Sequence, residues 1–339
     1  MKYLSKNNRK TALLWCGSIV FLLLSCIIGI LAGAAELTLS ELLGALFDGE
    51  KTSYAARILW LVRIPRVGAA LICGAALAVS GAVIQGVLAN HLASPGMIGV
   101  NAGAGVAVTL CAACGILGGW RLSFAAFLGA FLTVLAVSAA AKHWGASDGV
   151  VILVGAALNS LLGAVSDTVV SVKPDVSIMN HDFRAGDFSA VTMARLAPAA
   201  VVIVSAVVLL LFLTNELDVL TLGEDTARGL GMHTGRMRVI FLLLSALLSG
   251  AAVSVAGLLS FVGLLVPHAV RRLIGGSTAG HLLPFCAILG GAFTVLCDTA
   301  ARALFAPYEL PVGIFLAFLG APFFLYLLLR GRRGGSHHD

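Results

Sequence analysis

Residues 66–89 read RVGAALICGAALAVSGAVIQGVLA, with no charged residue after Arg66. A hydrocarbon core of about 30 Å takes roughly 20 consecutive apolar residues in helical form. Lipid offers the backbone no water to bond, so a run of this length is read as a membrane-crossing helix, whose hydrogen bonds are all internal. The segment Gly74-Ala75-Ala76-Leu77-Ala78-Val79-Ser80-Gly81 adds a second message. Association in lipid rests on close backbone approach, so a face of small residues marks a helix contact. The alternating run Ala102-Gly103-Ala104-Gly105 carries the same signature.

Similar runs recur at 11–33, 96–117, 121–141, 149–172, 196–214, 237–257, 258–274, 281–301 and 311–330. With 66–89 they make ten, and the expectation is an all-α polytopic membrane protein with about ten transmembrane helices. Gly257, Gly263 and Pro267 interrupt the eighth run, which is expected to be short or broken. Composition agrees: 59% of the 339 residues are hydrophobic and 11% charged, and the mean hydropathy is +1.02. A water-soluble globule has no use for that much apolar surface. Residues 1–339 are therefore read as a single membrane domain, with no room for a soluble catalytic one.

Charge sets the expected topology. Lys2, Lys6, Arg9 and Lys10 precede an apolar run from Thr11 to Gly33, too long for a secretory h-region of about 7–15 residues. It is read as an uncleaved first span with its N-terminus in the cytoplasm, and ten spans return the C-terminus, with the polar tail 334–339, to the same side. Loops on that side carry an excess of Lys and Arg, and Lys142, Arg228, Arg236, Arg238, Arg271, Arg272, Arg330, Arg332 and Arg333 conform. Arg57, Arg63, Arg66, Arg121, Arg184, Arg195 and Arg302 fall outside, against the bias.

The formal charge of +6 sits in short clusters and not along a face interleaved with aromatics, so no nucleic-acid partner is expected. All seven cysteines lie in apolar stretches, where a thiol acts as a small hydrophobe. Cys111-x-x-Cys114 lacks a second ligand pair, so neither metal nor cofactor is expected.

Two hydrophilic stretches are longer than turns. In 36–66, expected outside, Ser40-Glu41-Leu42-Leu43 starts a short amphipathic helix with Ser40 as its N-cap. In 215–236, expected inside, an acidic start, helical apolar spacing and glycine breaks predict two short helices at the membrane surface. No G-x-x-x-x-G-K-[ST] occurs, so nothing cradles ATP phosphates and an ATPase has to be a separate chain. The chain is read as a transport subunit and not as an enzyme. Ion-coupled carriers keep ionisable residues in mid-membrane, and Asp167, His268 and Asp298 are the candidates. Asp298 and Arg302, four residues apart, are spaced to pair on one helical face. A secondary carrier acting without an ATPase is the alternative reading.

Seven stretches, in order, resemble the permease subunits of the vitamin B12, haem and ferric-siderophore class of bacterial ABC importers. They are Arg63-Ile64-Pro65-Arg66; Gly74 to Gly81 with Gln85; Leu92-Ala93-Ser94-Pro95-Gly96; Leu222-Gly223-Glu224 with Ala227 and Leu230-Gly231; Phe261-Val262-Gly263-Leu264 with Pro267-His268; Asp298 with Arg302; and Glu309-Leu310-Pro311-Val312-Gly313. The resemblance implies a type II ABC importer permease fold in the bacterial cell membrane, two copies around a path, two ATPase subunits and an extracytoplasmic binding protein. It implies that Arg63, Arg66 and Arg302 face outwards and pair with carboxylates of the binding protein. Leu222, Gly223, Glu224, Ala227 and Gly231 would form the coupling surface for the ATPase, and Ser147, Asp148 and Gly149 the gate region. Gly81, Gln85, Pro95, Gly263, Pro267, His268, Asp298 and Pro311 belong to its structural motifs. The implied cargo is an iron-siderophore, with haem or cobalamin as alternatives. The chain departs from the family at Asn90-His91-Leu92-Ala93 and at Phe183-Arg184-Ala185-Gly186-Asp187, which leaves the substrate open.

Overall fold

The structure is a computed structural model and describes residues 2–33, 38–48, 53–143, 148–276, 278–304, 306 and 308–333. α1 (Lys2–Leu31) is followed by short α2 (Leu39–Phe47) and α3 (Tyr54–Ile58). A π-helical turn, Leu59–Arg63, joins α3 to α4 (Ile64–Val87) in one continuous helix. The turn Pro95–Ile98 leads to α5 (Val100–Ala113), α6 (Gly119–His143), α7 (Asp148–Val172), α8 (Ser177–Ala185) and α9 (Met193–Phe212). Two short helices, α10 (Thr214–Thr221) and α11 (Glu224–Gly229), precede α12 (Thr234–Ala256), α13 (Val262–Ile274), α14 (Ala279–Ala303) and α15 (Val312–Arg333).

Every expected span holds a helix. Among the described residues seven are long and apolar enough to cross a membrane. The shorter three are α5, α13 and the apolar part of α15, Val312–Tyr326. The 13 residues of α13 reach only about 20 Å at 1.5 Å per residue, less than the hydrocarbon thickness. Backbone turns at Gly257 (φ 71) and Phe261 (φ 67) hold the chain out of helix before it, as the interrupted eighth run predicts.

α4 is the buried centre, packed between α12, α13 and α14. Its glycines let backbones touch. A Cβ on Gly81 would fall on the Gly263 carbonyl of α13, and one on Gly290 of α14 would lie 2.7 Å from the Gly74 carbonyl. Small residues in the sequence thus mark real helix crossings. The outer helix α1 packs on α14, where Trp15 meets Phe285 at 4.2 Å between ring centroids.

One local expectation is corrected. The cap of α2 is Thr38 and not Ser40, which lies inside the helix. Thr38 accepts from the Glu41 amide while the Glu41 carboxylate accepts from the Thr38 amide at 2.8 Å. Only a residue three before the glutamate can close that reciprocal box.

Candidate functional site

Arg66 lies at the start of α4 and Gln85 near its end, so about 28 Å of helix separates them. Functional features gather at both ends.

At the Arg66 end six charged side chains from five segments converge. Arg66 sets its Nε 3.1 Å from both carboxylate oxygens of Asp298 on α14, its Nη1 2.6 Å from Glu309 before α15, and its Nη2 3.5 Å from Asp187 after α8. Arg302, one turn beyond Asp298, approaches the same carboxylate at 3.3 Å. That is the pairing the four-residue spacing predicts. Arg302 also donates to the Gly29 carbonyl, and Arg63 to the carbonyls of Ile30 and Leu31 at 2.7 and 2.9 Å. Guanidinium groups therefore satisfy carbonyls at the end of α1 that lack helical partners, where the helix dipole also favours positive charge.

This corrects the expected exposure. Arg63, Arg66 and Arg302 are 3%, 4% and 3% exposed and Asp298 is 1% exposed, so they form an internal clasp and not a water-washed rim. Compensation explains why they tolerate burial: Arg66 and Arg302 are paired with carboxylates and Arg63 is hydrogen-bonded to carbonyls, and a buried charge is held only when it is compensated in this way. Reversing all three arginines to glutamate, harmless at a rim, would here crowd six like charges together, four of them at buried positions. The clasp also explains part of the topological anomaly, since these arginines are spent inside the protein. Arg195 is likewise turned inward, donating to Ser123 Oγ at 3.1 Å. Asp187 and Glu309 are the clasp residues whose pairing sequence reasoning missed. They sit at the clasp mouth with side chains 27% and 37% exposed. Glu309 stood in a recognised motif; Asp187 stood in a stretch that departs from it.

At the Gln85 end, the buried Gln85 amide donates to the Gly263 carbonyl at 3.2 Å and its oxygen accepts from Arg271. This bond ties α4 to α13. The Pro311 carbonyl accepts from the first turn of α15 at the Arg66 end, beside Glu309, whereas here Pro95 is buried against Gly263, Pro267 is buried within α13 and His268 stacks edge-on to Phe323. Nearby, α10 packs on α4 and caps α14 through Asp218, which accepts from the Ala279 amide at 2.7 Å. Gly223 (φ 102) and Gly231 (φ 84) bracket α11 in conformations that glycine adopts without a Cβ penalty. Glu224 binds Arg228 at 2.5 Å and lies 3.9 Å from Arg238, pinning α11 to α12. Leu222 and Leu230 are exposed, whereas Ala227 is fully buried. Ala227 therefore faces its own fold, and the exposed apolar side chains of this stretch are Leu222 and Leu230.

Between the two ends, α7 has an apolar sequence yet exposes Ser160, Asp167, Thr168 and Ser171. Asp167 lies 3.8 Å from Arg184 of α8. On the other side of the helix, Asn159 donates to the Gly96 carbonyl at 3.0 Å and borders a cavity of about 560 Å3 that Asn101, Ser166 and Arg184 also line. Of the expected gate, Gly149 is exposed in the first turn of α7; Ser147 and the Asp148 side chain lie outside the described residues.

Residues 21–330 match the FecCD transport family. The chain is 35% identical to the iron(3+)-hydroxamate import system permease of Bacillus subtilis, over 92% of this chain and 82% of that one. It is 37% identical to the hemin transport system permease of Yersinia pestis, over 82% and 85%. Among solved structures it resembles a metal-chelate type ABC transporter in an inward-facing conformation, with TM-score 0.82 and 27% identity over 94% of this chain and 99% of that one.

Proposed function

Because the chain belongs to the FecCD transport family, we propose that it is the permease through which an iron-siderophore, delivered by an extracytoplasmic binding protein, enters the cell. The chain is a multi-pass membrane protein and a permease subunit of an ABC importer, and the ATP-driven reading stands over the secondary carrier. The observation that carries the path is the polar face of α7. A helix that exposes an aspartate and three hydroxyls along its second half is stable only where that face meets water or protein, because a carboxylate facing lipid is costly. A second copy placed against α7 would enclose a polar channel.

The two ends then take different partners. The Gln85 end, with α10 and α11, meets one of two ATPase subunits through Leu222 and Leu230, and movement of α11 is carried into α12 by Glu224. Both termini lie on this cytoplasmic side, and the turn at Ser147, Asp148 and Gly149 is the gate region. The Arg66 end receives the binding protein. Its carboxylates would compete with Glu309 and Asp187 for Arg66, so docking is an exchange of ion pairs at the clasp mouth. Such charges act mainly on encounter rate and register. Haem and cobalamin are the other cargo classes, since the path makes few fixed contacts and the binding protein selects.

The test is to co-express the chain with neighbouring ATPase and binding-protein genes, purify it in detergent and measure hydrolysis with and without loaded binding protein. A stable complex with stimulated hydrolysis supports the reading, and the binding protein's ligand names the cargo. Transport by the chain alone under an ion gradient would overturn it.

A further inference from the structure

At the end of the bundle that carries α11, a cavity of about 890 Å3 opens between α6, α7 and α12. Ligand pockets generally run roughly 300–1,000 Å3. Its wall changes character along its depth. Thr234, Arg238 and Leu242 recur every four residues on α12 and so form one stripe, about 12 Å long. The stripe runs from the polar helix start to a buried leucine. Leu135, Ser138 and Ala139 form the matching stripe on α6, and Val151 closes the back from α7.

Arg228, His233 and Arg236 stand at the mouth, with Arg238 just inside. The single acid within reach among the described residues, Glu224, is engaged by Arg228 and Arg238. Arg236 is exposed and forms no ion pair among the described residues. The start of α12 also faces the cavity and carries no side-chain cap, which leaves the positive end of a 23-residue helix open to an anion. Behind the mouth the side chains that stay open to the cavity are apolar: Leu135 and Val239 are half-buried, Ala139 is exposed and Ile240 is 40% exposed.

We infer that this cavity is a binding site for one anionic phospholipid, its phosphate held by Arg228, Arg236 and the first turn of α12. One acyl chain lies along Leu135, Ala139 and Ile240. A free phosphate would use the mouth but leave the apolar wall unused. A zwitterionic lipid would fill the depth but gain little from the arginines. Only an anionic amphiphile satisfies both, and basic pockets between membrane helices on the cytoplasmic side bind such headgroups.

The experiment is native mass spectrometry of the full chain in neutral detergent, titrated with dioleoyl phosphatidylglycerol or dioleoyl phosphatidylcholine, with inorganic phosphate as competitor. One phosphatidylglycerol retained per chain, in preference to phosphatidylcholine and undisturbed by millimolar phosphate, is expected. Arg236→Gln should weaken retention about fivefold, the share of one arginine near a membrane surface. Ala139→Trp, at an exposed position on the cavity wall, should abolish it by filling the acyl slot. Equal retention of the two lipids, or retention unchanged in both variants, would overturn the site; displacement by phosphate would make it a free-anion site. If Ala139→Trp does not fold, Arg236→Gln alone decides. The readout involves neither ATPase nor cargo, so its failure is separate from a failure of the importer reading.

Discussion

Replacing Asp298 by asparagine tests whether the charge clasp holds the fold or only decorates it. The Asp298 carboxylate is met by Arg66 at 3.1 Å and by Arg302 at 3.3 Å, all nearly devoid of solvent. Asparagine keeps the shape and one acceptor but removes the charge, and leaves two guanidinium groups facing each other in a dry site. Removing one partner of a buried ion pair costs about 3–5 kcal/mol, because the remaining charge keeps its desolvation penalty. At about 2–4 °C per kcal/mol, the melting midpoint of the purified chain in detergent should fall by about 6–20 °C. Glu309→Gln at the clasp mouth is the internal comparison. Its side chain is 37% exposed, and exposed pairs contribute about 0–1 kcal/mol. A midpoint for Asp298→Asn within a few degrees of wild type would refute the reasoning, as would a Glu309→Gln variant that is destabilised equally.

Other expectations follow from single contacts. Gly81→Ala should push α4 away from α13, since the new methyl has only the Gly263 backbone to displace; overpacking of this kind costs about 1–3 kcal/mol. Gly105→Ala, which would meet nothing within 4 Å, should leave the midpoint in detergent unchanged or higher, and equal losses in the two variants would count against the crossing. Gly231→Val has open space but a backbone at φ 84, so about 1–2 kcal/mol of local strain should loosen α11. In the assembled complex hydrolysis should then lose its stimulation by loaded binding protein while the subunits still co-purify; full stimulation would argue against coupling through α11. His91, in the turn after α4, has its pKa lowered by burial and next by the neighbouring Arg271. A lowered folded pKa means that protonation opposes folding. The stability is therefore complete above the ordinary histidine value of about 6.5 and declines as pH falls through that value toward the lowered one. His91→Gln should flatten the detergent melting curve between pH 8 and 5, and an unflattened curve would remove His91 as its cause.

The order of the helices was legible in the sequence because lipid imposes one rule on every segment. A run of some twenty apolar residues has no stable alternative to a helix, and glycine-rich faces such as Gly74 to Gly81 announce where backbones meet. The break before α13 was legible for the same reason, through Gly257, Gly263 and Pro267. The pairing of Asp298 with Arg302 followed from helical spacing alone. The family likeness carried by short motifs gave the importer.

What the sequence could not decide is what each charge faces. Arg66 and Asp298 lie 232 positions apart, and nothing local to either reveals that α4 and α14 bring them together. An arginine outside the positive-inside pattern reads as exposed until its partners are located. Here Asp187, Asp298, Glu309 and the carbonyls ending α1 turn it inward. Ala227 and Leu230 are three residues apart in one short segment, yet the packing of α11 buries one and exposes the other. The membrane's demand acts on each segment separately and is written in composition. Charge compensation acts between segments, at distances of about 3 Å, and is settled only when the helices have packed.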